Sequence, residues 1–365
     1  MGRPLVAEID FGALRHNLRR VREQAPGCPV VAVIKADGYG HGLIRAARAL
    51  ADADAYGVAC IEEALILREA GVHQPILLLE GFFGTDELEV IAGKELIPVI
   101  HHPWQLEALE RTRLSAPLQV WLKMDSGMHR LGFPPAGIPE ARRRLAASGK
   151  VRDGVVLMTH LASADDREDA TTLRQLALFD EVVGEETECS IANSAAILGW
   201  PQACRGWLRP GIMLYGVSPF LHGEGREWGL RPAMTLRSRL IAVNRYPKGA
   251  AIGYGGSWRC PEPMPVGVVA VGYGDGYPRH APSGTPVLVN GERVSLVGRV
   301  SMDMITVDLR SQPQARVGDP VVLWGEGLPV ETVAAQAGTI AYELLCGVAR
   351  ERVRYKVVNQ ERNDG

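Results

Sequence analysis

Short, continuous apolar runs separated by longer helical patterns fill the first two thirds of the chain. Eight runs stand out: Val30–Ala36, Tyr56–Cys60, Pro75–Glu80, Ile97–Ile100, Gln119–Met124, Val155–Thr159, Cys189–Asn193 and a weaker Trp207–Leu214, with helical segments such as Ile61–Ala70 and Asp165–Val183 between them. Runs without polar alternation predict strands buried on both faces, and strands alternating with helices predict a parallel sheet. Eight such units fit a closed (β/α)8 barrel of the TIM type better than an open sheet. From about Met234 the texture becomes Leu-Arg-Ser-Arg-Leu-Ile-Ala-Val, Gly-Val-Val-Ala-Val, Pro-Val-Leu-Val and Met-Ile-Thr-Val-Asp-Leu, broken by Gly, Pro and Asp turns. That texture predicts a mostly-β C-terminal domain. Asn290-Gly291 is a hairpin signal, since both residues tolerate positive φ. Thr332–Ala337 and Ala341–Leu345 read as short helices. The expected division is residues 1–230 for the barrel and 231–365 for the β-rich domain.

Composition narrows the function classes. A length of 365 residues with 46% hydrophobic and 22% charged side chains is that of a folded α/β chain of two domains. Forty basic against 42 acidic residues leave a net charge of -2, too small a field to recruit nucleic acid or an anionic membrane. The six cysteines show no zinc-ligand or disulfide-framework spacing. No signal-peptide pattern opens the chain and no run of about 18 apolar residues occurs, so a cytoplasmic protein without a metal is expected.

The candidate chemistry sits at strand ends. Lys35 lies inside the first run, near its end, and Ala36 is followed at once by Asp37-Gly-Tyr-Gly-His-Gly42. At the carboxyl end of a barrel strand, the catalytic face of this architecture, desolvation lowers an ammonium's pKa and makes the amine a nucleophile suited to Schiff-base chemistry. Corresponding ends carry Lys123, Asp125 and Arg130; then His160; then Asn193 and Ser194; then Arg209. Singly, each suits a satisfied rim side chain; together they suit a barrel active site.

These residues carry a resemblance. Ala32–Gly42, Lys123–Gly132, Arg209–Gly216, Gly253–Trp258, Gly272–Tyr277 and Gly298–Asp303 resemble, in order, the motifs of the alanine racemases, pyridoxal 5′-phosphate enzymes of fold type III, and Leu77–Phe83 and Ser283–Gly291 resemble proteobacterial members. The resemblance implies a two-base racemisation of L- and D-alanine, for peptidoglycan precursors or alanine catabolism. Lys35 would hold the cofactor and serve one face of the substrate; Tyr254, contributed by the other subunit of a homodimer, would serve the opposite face. It further implies that Tyr39, Ser194, Tyr342 and the backbone at Gly211 and Ile212 hold the phosphate, that Arg209 meets the pyridine nitrogen, and that His160 supports the cofactor. Arg130 and Met302 would contact substrate. Lys123 matches a position carbamylated in many members, Tyr273 a tyrosine at the entrance, and Asp303 the residue after Met302 in the shared segment. Ser301 stands where relatives often have Cys. A barrel decarboxylase would place a carboxylate instead of Arg209 at the pyridine nitrogen, and a non-catalytic carrier would lack the β-rich part with Tyr254. A racemase of broader specificity is the closest functional rival.

Overall fold

The computed structural model describes residues 2–152, 154–184 and 188–360. The chain divides into two compact units: Arg15–Leu214 with Pro219–His222, and a second unit made of the chain through Leu14, Tyr215–Ser218 and everything described from Gly223 onward. The division departs from the sequence expectation at the start, because β1 (Val6–Asp10) is a strand of the β-rich unit. Five residues with alternate burial resemble a surface strand, and nothing local says that their partners lie hundreds of residues away.

In the first unit, β2 (Val31–Val33), β3 (Ala55–Val58), β4 (Ile76–Leu78), β5 (Leu96–Ile100), β6 (Trp121–Lys123), β7 (Val156–Met158) and β8 (Cys189–Ser190) form one seven-stranded parallel sheet in sequence order. The predicted eighth run closes the curl in a reduced form. Leu208 O accepts from Val31 N at 2.8 Å and Pro210 O from Val33 N at 3.0 Å, while Arg209 N donates to Ala192 O at 2.9 Å. Gly206 at φ 61 and the missing N–H of Pro210 restrict this run to isolated bridges. Val31, Ala55, Leu77, Ile97, Val99, Trp121, Val156 and Met158 pack together as one buried cluster, the filled interior expected of such a barrel. Each contributes about 1–3 kcal/mol by leaving water. Helices follow the strands, as in Thr171–Val183, which buries Thr172, Gln175, Leu176, Phe179 and Val183 along one face and stops at Gly184, φ 66.

The second unit is built around β9 (Met234–Tyr246). Its first half pairs with β1, and its second half pairs with β12 (Met264–Val269). Between them come the small hairpin of β10 (Ala251–Ile252) and β11 (Trp258–Arg259). β13 (Pro286–Val289) and β14 (Glu292–Ser295) are joined by Asn290-Gly291, both at positive φ (52° and 84°), the hairpin that the dipeptide predicts. β15 (Ile305–Asp308) pairs with β12, β16 (Pro320–Trp324) with β13 and β9, and β17 (Arg354–Val358) with β1 in parallel. Tyr277 stacks on Trp324 in the buried core. Among the described residues no helix is long and apolar enough to cross a membrane.

Candidate active site

Parity along the barrel strands explains what gathers at their carboxyl ends. Successive residues of a strand point to opposite faces, so interior Val31 shares its parity with Lys35, Ile97 and Val99 with His101, Trp121 with Lys123, and Val156 and Met158 with His160. Their electrical coupling agrees. Burial first, then the charges of Arg209, Arg130 and Lys35, pulls the Lys123 amine down to about 8, with Asp125 partly offsetting this. The same causes, with Lys123 added, hold His160 well below the ordinary imidazole range, so its ring is neutral. Lys123 and Arg209 are 7% and 4% exposed, whereas Arg130 reaches solvent from the following loop.

That loop is tightly specified. Asp125 Oδ1 accepts from the N–H groups of Gly127, Met128 and His129 at 2.9, 3.0 and 3.0 Å. Phe133 exchanges backbone bonds with Lys123 and Asp125, both at 2.9 Å, and a Cβ on Gly132 would lie 2.5 Å from Asp125 N. Arg130 is therefore presented by a closed loop with its own acidic anchor. Arg209 is fixed as firmly: its guanidinium donates to Ser190 Oγ, to Thr159 O at 2.6 Å and to Ile191 O at 3.2 Å. Burial lowers its pKa to about 10, which leaves it a cation near neutrality.

After Lys35 the structure departs from a strand continuing through residue 36. β2 ends at Val33, and Ala36, Asp37, Gly38, Tyr39 and Gly40 all take positive φ (51°, 57°, 61°, 50° and 77°), a left-handed turn. Three of the five are not glycine, and each such residue costs roughly 1–2 kcal/mol. The turn is held by Gly38 N to Ile34 O (2.7 Å), Gly42 N to Asp37 O (2.8 Å) and Leu43 N to Asp37 Oδ1 (2.6 Å). It brings the Tyr39 hydroxyl against the next cradle: a Cβ on Gly211 would lie 2.5 Å from Tyr39 Oη. Ser194 Oγ accepts from Gly211 N (2.8 Å) and Met213 N (3.3 Å). A hydroxyl-and-amide cradle beside Lys35, Lys123, Arg130 and Arg209 fits a phosphorylated cofactor with an amine-reactive carbonyl, and no larger residue than glycine fits at 211.

The barrel unit thus brings together Lys35, Tyr39, Lys123, Arg130, His160, Ser194, Arg209, Gly211 and Ile212. The remaining predicted residues belong to the other unit. Tyr254, Tyr273 and Met302 are 69%, 41% and 51% exposed, Asp303 forms ion pairs, and Tyr342 lies in the first turn of the helix Ala341–Cys346. Among the described residues no group of three His, Cys, Asp or Glu side chains could hold a metal.

Sequence reasoning missed His101, Gln175 and Ser190. His101 Nε2 donates to Glu80 O at 3.0 Å, and its N–H is held by Gln105 Oε1 at 2.8 Å. Gln175 ties His160 O (3.1 Å), Ser126 Oγ (3.2 Å) and Ala162 N (2.8 Å) to one helix. Strand parity would have found His101, and a polar residue on the apolar face of Thr171–Val183 would have found Gln175.

This geometry defines an α/β barrel with buried cationic side chains gathered at the carboxyl ends of its strands. The family profile described as alanine racemase, N-terminal domain, matches residues 9–219, and the one described as alanine racemase, C-terminal domain, matches residues 233–357. The chain is 57% identical over 342 residues to an alanine racemase of Nitrosococcus oceani, covering 94% of this chain and 96% of that one. It is 54% identical over 350 residues to a catabolic alanine racemase of Pseudomonas putida, covering 95% and 98%. The crystal structure of the biosynthetic alanine racemase of Pseudomonas aeruginosa superposes with a TM-score of 0.95 at 47% identity, covering 98% of this chain and 100% of that chain. The chain belongs to the alanine racemase family.

Proposed function

We propose that the enzyme interconverts L- and D-alanine with pyridoxal 5′-phosphate in the barrel mouth, in the cytoplasm. The observation that carries this reading is the set of cationic groups around Lys35 beside the Tyr39–Ser194–Gly211 cradle, which asks for a ligand with a phosphate and a carbonyl. Tyr39, Ser194, Tyr342 and the backbone at Gly211 and Ile212 would hold the phosphate. When bound, the cofactor acidifies the α-hydrogen of an amino acid joined to it.

Lys35 would take or return the proton at one face of the α-carbon, and Tyr254 of the partner subunit would do so at the other. The exposure of Tyr254, on a loop between two glycines at φ 70, suits a residue offered to another chain. Arg209, held by Ser190, Thr159 and Ile191, would meet the pyridine nitrogen of the cofactor as a donor that keeps its own proton. His160, neutral, would support the cofactor. Arg130 grips the substrate carboxylate through its fork of donors, with Met302 of the partner subunit shaping the small pocket and Tyr273 its entrance. A Lys123 amine near 8 is partly neutral, reacts with carbon dioxide, and as a carbamate anchors Arg130. The product serves peptidoglycan precursors or, in the opposite direction, alanine catabolism; both uses rest on the same chemistry.

The test mixes two inactive homodimers, Lys35→Ala and Tyr254→Phe. Heterodimers hold one site with both defects and one with neither, so subunit exchange restores up to half the activity of a native dimer. Demonstrated heterodimers without activity would place both bases in one chain. Alanine is compared with serine and lysine as substrates, and preference for either of the latter would overturn the assignment.

A further inference from the structure

We propose that four charged side chains, Arg3, Asp275, Asp303 and Arg352, form a positioning clamp that sets the Tyr273 loop and the Met302 segment in one fixed arrangement and thereby governs substrate affinity. The inference rests on the reading that these two segments complete the partner's site.

The four make a closed ring. Asp275, fully buried, accepts from Arg3 Nη2 at 2.6 Å and Arg352 Nε at 3.0 Å, and also from Gly272 N at 2.9 Å. Asp303 Oδ1 accepts from Arg3 Nη1 at 3.3 Å and from Arg352 Nη2, and its backbone oxygen accepts from Arg3 Nη2 at 2.6 Å. Each arginine therefore spans both carboxylates, and each carboxylate lies on a different segment. Topology delivers the arginines together: β1 and β17 pair in parallel with Val6 opposite Arg354, so Arg3 and Arg352, just ahead of the two strands, emerge at the same edge.

The backbone zips the two segments as well. Tyr273 N donates to Ser301 O at 3.0 Å and Gly274 N to Met302 O at 2.9 Å. A Cβ on Gly272 would lie 2.3 Å from the Met302 carbonyl carbon, and one on Gly274 would lie 2.9 Å from Arg352 Nη1. Above this dense base, Tyr273 and Met302 project into solvent. Partly buried ion pairs are a weak source of net stability, because desolvation offsets their attraction; what they supply is directional restraint. A clamp beneath two exposed side chains restrains their spacing.

The experiment measures both directions of racemisation in the cofactor-loaded dimer carrying Arg352→Met, with Arg3→Met as a second variant in case the first does not assemble. Each removal leaves Asp275 one arginine and the Gly272 N–H. The expected result is a rise in KM of about five- to tenfold for both enantiomers, with kcat within about twofold, unchanged cofactor absorbance and unchanged dimer mass; Arg352→Lys recovers part of the loss. A lower melting temperature or kcat with unchanged KM would make the ring a structural brace only. Met302→Ala separates the two readings. If it raises KM and Arg352→Met does not, the clamp is wrong; if Met302→Ala also leaves KM untouched, the shared-site reading fails first.

Discussion

The barrel mouth and the loops of the β-rich unit handle chemistry in opposite ways. In the mouth, Lys123 and Arg209 are buried and a left-handed turn strains the chain after Lys35. Charge repulsion and backbone strain are both built in before any ligand arrives, and an anionic ligand relieves the first. In the loops, Tyr254 and Met302 stand in solvent, 69% and 51% exposed. The first suits a small anionic molecule and the second a protein surface, the contrast on which the proposed shared site rests.

Three changes probe that contrast on the barrel side. The largest effect is expected from Arg209→Met, which removes the fixed cation and leaves the carbonyls of Thr159 and Ile191 without this donor. Turnover should fall by about 10²–10³-fold, the range for losing one pre-oriented donor. A loss below about tenfold would mean that the buried guanidinium is structural.

Next is Lys123. Because burial and the neighbouring cations lower its pKa from 10.5 to about 8, its neutral fraction grows as pH rises through 8. Uptake of ¹³C-labelled carbon dioxide, read as a carbamate resonance, should follow that curve and vanish in Lys123→Ala, with substrate affinity falling about tenfold. An uptake midpoint near an ordinary lysine value would show that the mouth does not repel its own cations.

The smallest effect is on the strained turn. Ala36→Gly removes a Cβ from a residue at φ 51 and should stabilise the fold by about 0.5–1 kcal/mol in urea unfolding, after allowance for the freer unfolded chain. Destabilisation would mean that the turn carries no strain at that residue.

Legibility in the sequence followed the same divide. The barrel strands were readable because both faces are buried, giving uninterrupted apolar runs, and their ends pointed to Lys35, Lys123, His160 and Arg209. His101 was missed because it lies just past the apolar run, followed by His102 and Pro103, and only parity from Val99 exposes it. In the β-rich unit the Asn290-Gly291 hairpin is local and was found. The strands β1 and β17 are pairwise features, and a pairing between distant segments leaves no periodic mark on either. The left-handed turn was hidden for a different reason, since glycines at 38, 40 and 42 permit it without demanding it.

The position of β1 between β9 and β17 has a consequence for the order in which the molecule is made. Glu8 and Lys356, joined across that pairing, are 348 residues apart in the chain. At about 5–20 residues per second, the first strand to leave the ribosome waits roughly 20–70 s for its last neighbour. During synthesis, the barrel has its strands in sequence order and closes with its own next segments, while one edge of β1 stays open until β17 is made. Completion of the β-rich sheet therefore waits on β17, and a nascent chain stalled before it holds every strand of the barrel but an unfinished sheet.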